Sequence, residues 1–167
     1  MTIASGLHGL WLALHRLRDA ALGLRLLVCE DLPDGVAPQP VRALCNGVED
    51  VFGMLSDAIE RAAATVRAAE PAGDPRQIRQ ALAACHRCLL DLSRRWTDEV
   101  SAHHRLTQLE TAARERGARW RAWARSVTEA VDGCHAPLWD VHIALLGCWE
   151  ELAERALPLS WIGTEEP

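Results

Sequence analysis

At 167 residues the chain has the length of one domain and enough sequence to bury a sizeable core. One Phe, no Tyr and few Val–Thr runs argue against a sheet, because strands favour aromatic and β-branched residues. A net charge of −5 makes the domain as a whole a poor match for nucleic acid.

The opening segment, MTIASGLHGLWLALHRLRD, lacks a basic leader region, and His15, Arg16, Arg18 and Asp19 interrupt its apolar run. No stretch reaches the ~18 uninterrupted apolar residues of a spanning helix, so a cytoplasmic chain without membrane contact is expected. The pattern predicts helix 1 over residues 3–30. Ile3, Leu7, Leu10, Leu14, Leu17, Ala21, Leu24 and Val28 form a seam with 4-3 spacing, as in a coiled-coil-like bundle. Trp11, Leu12, Leu22, Leu26 and Leu27 lie off that seam. The helix is therefore either central or buries a second face against another subunit, and this surplus is the sequence basis for expecting a homo-oligomer. His8 and His15 flank the seam at its polar edge.

Residues 29–40, CEDLPDGVAPQP, form the first connection, with Pro40 suited to the first turn of helix 2. Helix 2 is expected over 40–70 with the seam Val41, Cys45, Val48, Phe52, Leu55, Ile59, Ala62, Val66 and Ala69. In the next turn, 70–75, Asp74 is the expected N-cap and Pro75 the first helical residue. No Gly or Pro follows until Gly117, so one helix of about forty residues is permitted. Its seam runs Ile78, Leu82, Cys85, Leu89, Leu92 and Trp96, then degrades, which leaves a break or kink within 101–107 open. A final helix is expected through Trp120, Ala124, Val127, Val131, Cys134, Leu138, Val141, Leu145, Cys148 and Leu152, kinked near Gly133 and Pro137 or divided there into two stacked segments.

The predicted architecture is all-α: an up-down-up-down four-helix bundle over 1–157 with long, kink-prone helices 3 and 4. A non-helical tail, 158–167, would offer Trp161 and Ile162 for docking. With shorter helices 1 and 2, the Gly117 tip should overhang by about 15 Å at ~1.5 Å per residue.

That tip carries the most unusual residues of the chain. Arg114, Arg116, Arg119, Arg121 and Arg125, with one Glu among them, make a local +4 that leaves −9 elsewhere. Trp120 and Trp123 stand among them, and Arg beside indole suits an acidic protein partner or single-stranded nucleic acid. The plainer reading is a solvated helix end. Six cysteines (29, 45, 85, 88, 134 and 148) are expected as buried thiols rather than disulfides. Cys85–Cys88 with His86 and Cys148, or His103, His104, Cys134 and His135, make weak zinc sets, and no metal or cofactor is expected.

Arg79 and His86, with six residues between them, resemble the ribonuclease motif of dimeric HEPN bundles. In outline the chain also resembles small helical-bundle accessory proteins of bacterial retroelement and conflict systems, which oligomerise and present a basic surface. The bundle lacks a Glu-x-x-His pair, a phosphate loop or a nucleophile elbow. The expectation is therefore a non-enzymatic adaptor or assembly subunit. Nucleic-acid binding through 114–125 is the alternative, and a HEPN-like nuclease comes third.

Overall fold

A computed structural model describes residues 3–69 and 74–154 of the chain. The expected tail, with Trp161 and Ile162, lies outside the described residues. Among the described residues every regular element is helical: α1 (Ile3–Cys29), α2 (Gln39–Ala69), α3 (Pro75–Arg95), a π-helical turn (Trp96–Val100), α4 (His103–Arg114), α5 (Ala118–Gly133) and α6 (His135–Glu154). They form an all-α bundle of four helical columns, two of them interrupted. In that bundle α1 packs on α2, α5 and α6, while α2 packs on α3, the π turn and α4.

The α1 seam is buried along its described length, from Leu7 to Val28. The off-seam surplus is largely absorbed because α1 has neighbours on several sides. Trp11 and Leu27 pack against the core, leaving Leu12 and Leu26 exposed. In α2 the expected seam residues Val41, Val48, Leu55, Ile59, Ala62 and Ala69 are buried, but the buried face is wider and is centred to one side of that seam. Leu44, Val51, Ala58 and Thr65 are buried, whereas Cys45, Phe52 and Val66 are only half-buried. Two adjacent apolar stripes fit the same period, and α2 lies between α1 and the α3–α4 column. The α1-facing stripe becomes the edge, where Arg25 covers the Phe52 ring at 5.3 Å.

Cys29 and Cys45 correct the thiol expectation, because they pair as a disulfide with Cα atoms 5.5 Å apart. Spacing on separate helices could not reveal that pairing, since it depends on how the first connection returns. Cys85, Cys88, Cys134 and Cys148 are free.

Asp74 does cap α3, its carboxylate accepting from the Arg76 N–H at 3.0 Å, with Pro75 in the first turn. The forty-residue helix does not form. The Ser101 N–H bonds the Trp96 carbonyl five residues back at 2.9 Å, which inserts one residue into the turn. Ala102 then leaves the helical region, and α4 starts at His103. A tight approach accompanies this turn. A Cβ on Gly47 of α2 would lie 2.9 Å from both the carbonyl oxygen and the Cβ of Glu99.

That contact sets up two substitutions of opposite sign on one helix. Gly47→Ala is expected to cost roughly 1–3 kcal/mol despite alanine's helix propensity, since the Glu99 carbonyl cannot swing aside. Gly53→Ala, with open space around it, is expected to stabilise by about 0.5–1 kcal/mol. Urea unfolding of both variants measures this, and a stabilising Gly47→Ala would contradict the close approach.

Gly133 ends α5 and Cys134 turns the chain into α6, with the Leu138 N–H bonded to the Cys134 carbonyl at 3.0 Å. Of the two expected forms, a kinked helix or two stacked segments, the chain takes the second, as α5 followed directly by α6.

Candidate functional site

Gly117 makes the turn between α4 and α5 with φ 103°, a left-handed conformation that favours glycine. The seven basic and aromatic residues around it divide three ways. Trp120 and Trp123 are buried, with ring centroids 5.4 Å apart in an edge-to-face pair. The Trp123 indole N–H donates to the Leu27 carbonyl at 2.9 Å, which caps the end of α1. Neither indole is left as an open platform for a base.

Arg116 and Arg119 reach the first connection. Arg116 Nη1 donates to the Val36 carbonyl at 2.9 Å, and its guanidinium lies 5.1 Å from the Trp120 ring centroid. Arg119 pairs with Asp34 at 2.8 Å, where both side chains are largely in water, so the pair contributes at most about 1 kcal/mol. The expected free overhang is thus occupied at its tip by residues 34–36. A connection of this length can fold back over the start of α5, which a count of helix lengths ignores.

Arg114, Arg121 and Arg125 form the third group. They line a groove of about 280 Å³ between α4 and α5, together with Glu110 and Glu129. The two carboxylates offset much of the positive field that the linear sequence suggests. A larger open groove, about 640 Å³, lies between the start of α2 and α4 and includes Pro38, Pro40, Arg105, Gln108 and Glu115.

The sulfur and imidazole residues divide in a similar way. Burial, with Cys88 nearby as a smaller cause, pushes the Cys85 thiol up to about 11. Burial alone takes Cys134 to about 11. Cys148 is raised to about 12, by burial first and then by the Glu151 carboxylate. Such thiols stay protonated at neutral pH, and a protonated thiol is a poor nucleophile. The Cys88 thiol, one turn on from Cys85, faces the Met54 carbonyl on α2 at 3.9 Å. His103 and His104 are exposed.

Cys29, Cys45 and Glu49 present ligand atoms within 4.8 Å of one another. The disulfide uses both sulfurs, however, and Arg25 holds Glu49 at 2.9 Å, placing a positive charge where a cation would sit. Arg79 and His86 are half-buried on α3. His86 lies close enough to His142 of α6 to lower the His142 pKa, after burial as the larger cause. On α1, His8 and His15 both contact the Trp11 ring, at 5.7 and 4.2 Å between centroids.

The most prominent surface feature was not expected from the sequence. Trp139, Ile143 and Leu146 of α6 are 66, 51 and 57% exposed, and Leu90 of α3 is 53% exposed. Spacing of four and three residues puts the first three on one helix stripe. Ser93 Oγ and His142 Nε2, 2.9 Å apart, pin α3 to α6 at this level, with Leu90 and Leu146 each one turn away. A signal was available: these three residues lie off the Leu138–Val141–Leu145 seam, just as Leu12 and Leu26 lie off the seam of helix 1. Among the described residues no helix is long and apolar enough to cross a membrane. Comparison with protein-family models, curated proteins and solved structures finds no match for this chain.

Proposed function

We propose that the chain is a non-enzymatic helical-bundle adaptor or assembly subunit, acting through self-association and contact with a protein partner. One observation carries the reading: four large apolar side chains, Leu90, Trp139, Ile143 and Leu146, stand open on neighbouring helices. Singly exposed apolar residues are ordinary, whereas a contiguous set marks a surface that another protein covers. We read the four columns as up-down-up-down. Contacts between the end of α1 and the start of α2 (Cys29–Cys45) and between α3 and α6 (Ser93–His142) support that order. The reading includes a cytoplasmic setting, in which Cys29 and Cys45 would be held as thiols for much of the time. Light scattering across about 1–100 µM tests the self-association, with a mass above one subunit expected. A single subunit at every concentration would remove it.

A second reading, nucleic-acid binding at the tip, draws support from Arg114, Arg121 and Arg125 sharing one groove. Glu110 and Glu129 beside them and the buried indoles weigh against it. If it holds, changing the three arginines to Glu should reduce the dependence of single-stranded oligonucleotide binding on salt by about two in log–log slope. Unchanged binding in that variant would rule this surface out.

A further inference from the structure

We infer that the α3–α6 face pairs two copies of this chain about a two-fold axis parallel to the helices, with α6 of each copy lying over α3 of the other. The inference rests on the self-association proposed above and names the surface that performs it.

Three contacts fix the local register. Cys85 lies near enough to Cys148 to raise its pKa. Ser93 meets His142 at 2.9 Å, and the Trp96 and His135 rings lie 6.4 Å apart. Residue numbers rise along α3 as they fall along α6, so the two helices run in opposite directions. Leu90 therefore stands level with Ile143 and Leu146, Arg94 with Trp139, and Arg87 between Leu146 and Glu150.

Arg87, Arg94 and Glu150 are all exposed on this face. The apolar strip consequently has its bases on the α3 side, while Glu150 continues the α6 stripe one turn beyond Leu146. A two-fold contact must be self-complementary, because the same patch serves both partners. Rotation about an axis parallel to the helices brings the α6 strip of each copy onto α3 of the other at the same level. Ile143 and Leu146 then cover the second copy's Leu90. The Trp139 ring meets the second copy's Arg94, an arrangement favourable for a cation and an aromatic face. Glu150 faces the second copy's Arg87. Every pairing occurs twice, and the charges match without a change in fold. A partner of a different sequence would have to supply both the acid and the apolar residues at this spacing, whereas a second copy already carries them.

Sedimentation equilibrium of the full chain between about 1 and 100 µM tests the surface. The wild type is expected to be a dimer. Ile143→Glu with Leu146→Glu should weaken dimerisation on the order of 100-fold or more, since central contacts dominate such interfaces and each is duplicated here. The helical circular dichroism should stay unchanged, because both side chains are on the surface. Arg87→Glu and Glu150→Arg should each weaken the dimer, and the two together should restore it. A monomeric wild type would overturn this inference together with the self-association proposal. A dimer that survives Ile143→Glu with Leu146→Glu would overturn this surface alone. Failure of the charge swap to restore dimerisation, with the double Glu variant monomeric, would overturn the crossed α6-over-α3 arrangement.

Discussion

Replacing Trp123 by Ala is expected to lower the unfolding free energy by about 3–5 kcal/mol, the range for truncating a buried aromatic side chain. The residue joins three structures at once. Its ring is buried against the core, it stacks edge-to-face on Trp120, and its N–H donates to the Leu27 carbonyl at 2.9 Å. The last four carbonyls of a helix have no partner within it, and Leu27 belongs to the last turn of α1. The Leu26 carbonyl accepts from the N–H groups of Glu30 and Asp31, so Trp123 satisfies the next acceptor in line. Trp123→Phe separates the two contributions. It keeps most of the buried area but leaves the carbonyl without that donor, and a loss of about 1–3 kcal/mol is expected. Urea unfolding followed by circular dichroism reads both variants. A loss below about 1 kcal/mol for Trp123→Ala would return the residue to the surface and reopen the aromatic-platform reading of the tip.

Reducing the Cys29–Cys45 disulfide is the second large effect. The two residues are sixteen apart in sequence, and closing a loop of that size removes about 3 kcal/mol of denatured-state entropy. For a chain of this length that amounts to a fall of roughly 6–12 °C in Tm. Thermal unfolding with and without a thiol reductant measures it. The double variant Cys29→Ser with Cys45→Ser should melt near the reduced wild type and ignore the reductant. A wild-type Tm that does not move with reductant would mean that the pair is not closed in solution. The bond spans the connection that carries Asp34 and Val36, the partners of Arg119 and Arg116. The same measurement therefore reports on how firmly the basic tip is held.

Much of the fold was legible because the heptad-like spacing recurs over long segments. The seams of α1 and α3 were read residue by residue, and so were the Asp74 cap and the Gly117 turn. In α2 six of the nine expected seam residues are buried, and the departures are Cys45, Phe52 and Val66. Leu44, Val51, Ala58 and Thr65 run beside Cys45, Phe52, Ile59 and Val66 at the same period, and both stripes are dominated by apolar residues. Only the identity of the neighbours decides which stripe faces inward. The seam decays after Trp96 and points to 101–107, whereas the π turn begins at Trp96 itself, and its close approach to Gly47 of another helix is not a local property of the sequence.

The candidate site was less legible than the fold. Residues 114–125 look like one basic, aromatic cluster in the linear sequence, yet the structure sends two indoles inward and divides five arginines between a loop and a groove. The Leu90–Trp139–Ile143–Leu146 face combines residues about fifty apart in sequence, so the off-seam stripe of α6 is legible locally but its meeting with Leu90 is not. By itself the sequence determined the helical class, the periodic core and most helix boundaries, because these follow from interactions within a few turns of the chain. The tertiary structure alone decided the Cys29–Cys45 pairing, the burial of Trp123 and the open face between α3 and α6. Each of these depends on which distant segments the packing brings side by side.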